Sequence, residues 1–207
     1  MRQAKNYFIF FLLVSELCIC QTKSMQTLAF GKGATVIYAG SGAVARHLDC
    51  YPFKKETINY KRSPFISIGF DHCVFPYASN AYWGFGLYLS SWIANREYVD
   101  VFERKKENIW TNTLFAVRAS HHSAFFVRKK LDMCSGILIG ARMKYYHSKT
   151  IDEKDVTNQS DRTSFVPAFG ITATVRYYFK ENFGIYFDVC LGYKTDLAGI
   201  GLTYKLH

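Results

Sequence analysis

Seven ionisable residues could do chemistry together: Asp71, Arg118, Asp132, Arg142, Arg176, Asp188 and Lys205. Each stands in a segment where its immediate neighbours are mostly apolar and the residues two away are small or polar. Carboxylates and cations placed this way suit mutual neutralisation inside a protein, or else the lining of an ion path. A second cluster, His121-His122-Ser123, has the residue types of a hydrolase. Adjacent residues of a strand point to opposite faces, however, so the two histidines cannot serve one site. Spacing identifies no acidic partner for either, and no enzyme is expected. Four cysteines beyond the N-terminal leader (Cys50, Cys73, Cys134 and Cys190) form no C-x-x-C pair, so neither a metal site nor a cofactor is expected. Whether they form disulfides is left open. The formal charge is +10, but its Lys and Arg are spread along the chain without a basic stripe or nucleic-acid motif. A general attraction to anionic lipid or glycolipid head groups fits better than nucleic acid.

The elements that carry these groups read as strands. From Gly33 onward, period-two alternation recurs in segments of roughly 10 residues, the length of a tilted membrane-spanning strand. The clearest runs from Phe183 to Tyr193, with Phe183, Ile185, Phe187, Val189, Leu191 and Tyr193 on one face and Gly184, Asp188, Cys190 and Gly192 on the other. Phe165–Phe179, Leu131–Tyr145, Tyr82–Trp92, Phe65–Phe75, Trp110–His122 and Leu197–His207 repeat it, and a first strand is expected near Lys32–Val44, where glycines and alanines blur the pattern. No stretch approaches 18 consecutive apolar residues, so a membrane can be crossed only as strands.

A soluble sandwich also alternates, with its apolar face inward. Two features favour the reverse polarity. The polar face mixes charges of both signs with glycines, as a narrow barrel interior filled by side chains requires. The apolar faces end in rings (Trp83, Trp92, Trp110, Tyr145, Phe165, Tyr177, Phe179, Phe183, Tyr193 and Tyr204), the composition of an interfacial girdle. The expected fold is an all-β, eight-stranded antiparallel transmembrane up-and-down barrel, with the seven ionisable residues as its structural interior network.

The ends and loops agree with that reading. Arg2 and Lys5, the apolar Tyr7–Val14 and the Cys18-Ile19-Cys20 site read as a signal peptide over residues 1–20, leaving a barrel domain over 21–207. Long polar connections at Ala45–Ser63, Ile93–Ile109 and His147–Ser164 alternate with short ones, as when long loops face the exterior and short turns the periplasm. The sequon form Asn158-Gln159-Ser160 falls in the last long loop and is set aside.

Three passages, Arg118–His121 followed by KLDMCSGILIGAR (130–142), VRYYF (175–179) and the stretch from Phe183 to Tyr193 leading into LAGIGLTYKL (197–206), resemble the small porin-like outer-membrane β-barrels of Bacteroidetes. The closing Gly201-Leu202-Thr203-Tyr204-Lys205-Leu206-His207 is similar to a barrel insertion signal, departing from it in ending on His207 rather than an aromatic residue. The relation to OmpA- and OmpX-like eight-stranded barrels is one of fold. The resemblance implies a bacterial outer-membrane location, lipid or lipopolysaccharide around the barrel, and delivery by the barrel-assembly machinery through the C-terminal strand. It implies no reaction. A structural or interaction role is expected, with an unknown extracellular partner for the long loops. A narrow porin and a soluble lipocalin-like ligand-binding barrel are the alternatives.

Overall fold

The computed structural model describes residues 30–43, 57–78, 81–99, 103–122, 130–151 and 160–206. The expected signal peptide, Cys50, Ser123 and Asn158-Gln159 lie outside them.

Nine strands follow one another: β1 (Thr35–Ala43), β2 (Thr57–Arg62), β3 (Phe65–Ala78), β4 (Ala81–Val99), β5 (Lys105–His122), β6 (Leu131–Thr150), β7 (Ser160–Tyr178), β8 (Phe183–Tyr193) and β9 (Ala198–Leu206). Eight of them close an antiparallel ring in the order β1-β3-β4-β5-β6-β7-β8-β9, sealed where Thr35 faces Leu206 and Ala43 faces Ala198. A closed ring leaves no unpaired backbone edge within it, which is what a strand in hydrocarbon requires. The ninth strand, β2, continues the line of β3 on β4 after a break at Ser63-Pro64. Pro64 has no N–H to give the ladder. Ser63 bridges the break instead, its N–H bonding the Ile93 carbonyl at 2.9 Å and its hydroxyl accepting from the Ile93 N–H at 3.0 Å.

The polarity of the wall follows from alternation. Outward positions are apolar and bare: Ile66 is 72% exposed and Leu191 65%, whereas Arg118 and Arg176 on the inward positions are each 1% exposed. A soluble carrier needs an apolar lumen and a polar exterior; this barrel has the opposite arrangement. Glycines make room for the large inward residues. A Cβ on Gly69 would lie 2.5 Å from the Tyr38 hydroxyl, and one on Gly86 would lie 2.6 Å from a carboxylate oxygen of Asp71. Small residues opposite large ones are how a narrow barrel fills its interior.

The wall departs from the sequence expectation in two ways. Trp92 and Trp110 do not join an outward girdle. They point inward and pack with Phe65 and Ala94 above the lumen. Strand also reaches into each of the three stretches expected as long loops: Thr57–Arg62 is β2, and β4 to β7 run far beyond the bilayer length, at 18 to 20 residues each. A roughly 10-residue strand is what a bilayer demands, but cross-strand pairing is indifferent to where hydrocarbon stops. The barrel therefore has one end carrying both terminal strand ends, called here the terminal end, and an opposite, extended end. There the wall continues upward as a sheet of β2, β4, β5, β6 and β7 while β8, β9 and β1 stop at Tyr193, Ala198 and Ala43.

Candidate functional site

Two regions gather polar groups: the lumen and the sheet at the extended end. In the lumen, strand alternation sends every even-numbered residue of β4 to β7 inward. Near the terminal end, Arg176 bonds Asp132 at 3.0 Å through Nη1 and Asp71 through Nη2. The other Asp132 oxygen lies 2.8 Å from His122 Nδ1. Midway up, Arg118 meets Asp188 at 3.3 Å, and the Thr174 hydroxyl joins both side chains. Towards the extended end, Arg142 Nη2 donates to Asp196 at 2.8 Å, and the hydroxyls of Tyr88 and Ser90 donate to the second oxygen of that carboxylate. Buried charges held in this way keep their stabilisation only while paired.

Six of the seven residues singled out by sequence therefore lie in the lumen charge network. Lys205 does not join them; half-buried near the terminal end, its ammonium sits 5.7 Å from the centre of the Tyr178 ring. Asp196, in the short connection between β8 and β9, is the acid that meets Arg142. The connection from Lys194 to Leu197 folds into the barrel mouth, with Thr195 and Asp196 buried and the Lys194 carbonyl accepting from Arg142 Nε at 2.8 Å. Its brevity was the only signal in the sequence. Cys73, Cys134 and Cys190 are buried free thiols.

His122 also corrects the expectation that no acid attends it. His121 points outward against Trp83, with ring centres 5.2 Å apart. His122 points inward, with Asp132 on Nδ1 and Ser120 Oγ 3.0 Å from Nε2. The serine is Ser120 rather than Ser123, because residues two apart on a strand share a face. Nucleophile, base and orienting acid thus stand in the order an acyl-transfer triad needs. A reaction also needs a substrate atom about 3 Å from the nucleophile. Here Ser120, His122 and Asp132 are all fully buried, and the Phe30 ring stacks on the His122 ring at 3.6 Å and 8°. Phe30 precedes β1 and folds into the terminal mouth with Val36 and Cys73. Higher in the lumen, the void bounded by Tyr88, Leu114, Leu138, Asp188 and Asp196 measures about 10 Å³, room for roughly one water molecule. Among the described residues no group of His, Cys, Asp and Glu is placed to hold a metal.

The sheet at the extended end has two unlike faces. Its outer face carries Lys61, Asn95, Glu97, Lys105, Glu107, His147, Lys149 and Asp161, tied across strands: Asn95 to Glu107 at 2.5 Å, Lys149 to Glu107 at 2.6 Å, and His147 to Asp161 at 2.6 Å. The Lys149 ammonium, helped by the Asn95 amide, holds the Glu107 carboxyl below the usual range. The inner face, on the barrel-axis side, carries Tyr60, Arg62, Arg96, Tyr98, Lys106, Asn108, Trp110, Lys144, Tyr146, Ser148, Arg162 and Ser164. Apart from Trp110, Lys144 and Tyr146, these residues fall in the stretches expected as loops, where alternation gives no division between two faces.

No family model matches the chain, and no curated protein is similar to it in sequence. Several solved structures are similar in shape. Ail, the attachment invasion locus protein of Yersinia pestis, aligns over 85% of this chain and 100% of its own, at 11% identity and a TM-score of 0.49. The outer membrane protein OprG of Pseudomonas aeruginosa aligns over 86% and 98%, at 11% identity and 0.49. The N-terminal β-barrel domain of OprF from the same organism aligns over 85% and 99%, at 16% identity and 0.44.

Proposed function

We propose that this protein is an outer-membrane anchor whose working part is the extended sheet, displayed outside the cell and used for binding rather than transport or catalysis. The observation that carries the reading is the unequal height of the wall. Four strands of 18 to 20 residues rise beside three of 9 to 11. A bilayer asks for only about 9–11 residues per strand. The surplus on one side is structure that membrane anchoring does not require. Among the described residues it also leaves open backbone edges: β2 pairs with β4 alone, and β7 with β6 alone from Ser160 to Ala168. Open edges are where an extended partner segment can add a strand. The bare apolar wall supports a membrane location, and the even strand number of the ring puts its two terminal strand ends, Thr35 and Leu206, on one side, which export would make the periplasm.

The narrow-porin alternative needs a path through the lumen, and the Arg176, Arg118 and Arg142 ion pairs stand across it, with a void of about 10 Å³ beside Asp188 and Asp196. For the Ser120–His122–Asp132 chain this reading supplies a packing role, with Phe30 as its cover. The test is topology in intact cells. A single cysteine introduced at Asp155, in the connection between β6 and β7, is expected to react with a membrane-impermeant maleimide without permeabilisation. Labelling only after the outer membrane is opened would overturn the reading.

A further inference from the structure

The charges of the extended sheet are sorted by face. All of its described acids at these heights, Glu97, Glu107 and Asp161, point outward, where Lys149 and His147 meet two of them. On the inner face stand Arg62, Arg96, Lys106, Lys144 and Arg162, with no Asp or Glu among the described residues that share it. Among the described residues, the outer face mixes Lys61, Lys105 and Lys149 with its three acids, whereas the inner face carries five cations and no acid, which is not what solubility needs, since that favours interspersed signs.

The register arranges the inner face further. One row across the five strands reads Arg62, Ala94, Trp110, Tyr146, Arg162. Two rings stand at its centre with ring centres 5.7 Å apart, and an arginine stands at each edge. At about 4.8 Å per strand the row spans roughly 19 Å. The row above holds Tyr60, Arg96, Asn108 and Ser148, and the row below Trp92, Asn112, Lys144 and Ser164. Arg62, Arg96, Lys106 and Lys144 all have contacts within the chain, so the cations are held in place rather than trailing in solvent. Arg162 and Ser164 are exposed, Lys106, Lys144, Trp110 and Tyr146 half-buried, and Arg96 lies deepest with its guanidinium over the Tyr98 ring.

We propose that this inner face is a binding site for an anionic saccharide, a sugar chain bearing sulfate, phosphate or carboxylate groups, lying across the barrel mouth. The proposal rests on the extended sheet being the working end and names its ligand class. Arginine forks match such oxyanions in two-point geometry. A sugar ring offers a face of C–H groups that packs on the electron-rich face of an aromatic ring. The exposed Ser164 hydroxyl suits a ligand rich in hydroxyls, while the Ser148 hydroxyl is already given to the buried Asn108 amide oxygen at 2.8 Å. An acidic peptide would satisfy the cations but brings no sugar-ring face to the Trp110–Tyr146 pair.

The test uses the purified full-length protein in nanodiscs free of lipopolysaccharide, with binding of dextran sulfate, neutral dextran, polyglutamate and oligothymidylate compared. Dextran sulfate is expected to bind best, and Lys106→Gln/Lys144→Gln/Arg162→Gln to weaken it by about tenfold or more. The charge-matched outer-face variant Lys61→Gln/Lys105→Gln/Lys149→Gln should change it less than about twofold. Trp110→Leu should cut dextran sulfate binding more than polyglutamate binding. Heat-modifiable gel mobility checks that each variant is still a folded barrel. Equal losses from both triple variants, equal binding of polyglutamate or oligothymidylate, or no binding to the wild-type protein would each overturn the proposal. Competition by purified lipopolysaccharide would identify a lipid head group as the source of the same anionic sugar; its absence would identify a soluble glycan. Cell-surface labelling at position 155 with no saccharide binding would remove this proposal and leave the surface-display reading standing.

Discussion

At the residue scale, Arg176 is the side chain whose loss should be felt most. It stands between two buried carboxylates, Asp71 and Asp132, and its guanidinium also lies over the Tyr38 ring at 5.5 Å. Replacing it with Met leaves both carboxylates buried without their cation, at a cost of about 3 kcal/mol or more. Adding Asp71→Asn and Asp132→Asn to Arg176→Met should recover part of that loss, because the uncompensated charge goes with them. Urea unfolding in lipid or detergent measures both, and a triple variant less stable than the single one would refute the pairing. Glu107 poses a smaller question outside the membrane belt. Its carboxyl is held below the usual range by Lys149 and Asn95. The stabilisation is therefore present above the ordinary carboxylate value and fades as pH falls through the lower, folded-state value. A partly exposed pair of this kind contributes about 0.5 kcal/mol. Below about pH 4, amide hydrogen exchange at the β4–β5 tip, corrected for its intrinsic pH dependence, should quicken in the wild-type protein, whereas Glu107→Gln should exchange faster at neutral pH and lose the pH response.

At the scale of elements, the extended hairpins and the barrel ring answer to different forces. The ring is held by closure and by the lumen; the extension is held by ladder hydrogen bonds and cross-strand pairs. Glu97 faces Glu107 across the β4–β5 hairpin. Removing residues 98–106 and joining the strands with Asn-Gly, a two-residue turn that keeps the register, should leave the barrel intact. Heat-modifiable mobility is expected to be unchanged, while Lys106 and Tyr98 are lost from the inner face. A barrel that no longer forms would show that the extension is part of the folding unit. The connection at Lys194–Leu197 behaves in the opposite way. It is short, yet through Asp196 it is bound into the ring's interior. Length in the sequence was a poor guide to which connections are surface features.

For the molecule as a whole, the lumen is closed along its length by separate groups: Phe30 on His122 at the terminal end, the Arg118–Asp188 pair midway, and Asp196 on Arg142 at the other end. The wild-type protein is expected to be electrically silent in planar bilayers. Phe30→Ala removes only one of these closures and should stay silent too, with a stability loss of about 3 kcal/mol for the vacated ring site. Steady single-channel steps from the wild-type protein would favour a pore.

The chain by itself determined the ring: period-two alternation assigned most residues of the bilayer-length wall to a side, so the strands, the outward apolar face and Asp71, Arg118, Asp132, Arg142, Arg176 and Asp188 as inward groups could be read from spacing. What it left open depends on distance in space. Which acid meets Arg142 and which acid meets His122 depend on register and on residues brought from other strands, whereas Trp92 and Trp110 follow the same alternation as their strands, with an aromatic ring on an inward position. The height of the wall was equally hidden. Above the hydrocarbon both faces of a strand are polar, and alternation of apolar and polar residues, the one signal a strand writes into its sequence, disappears there. Only the tertiary structure shows that the chain keeps pairing beyond that point and sorts its charges between two faces.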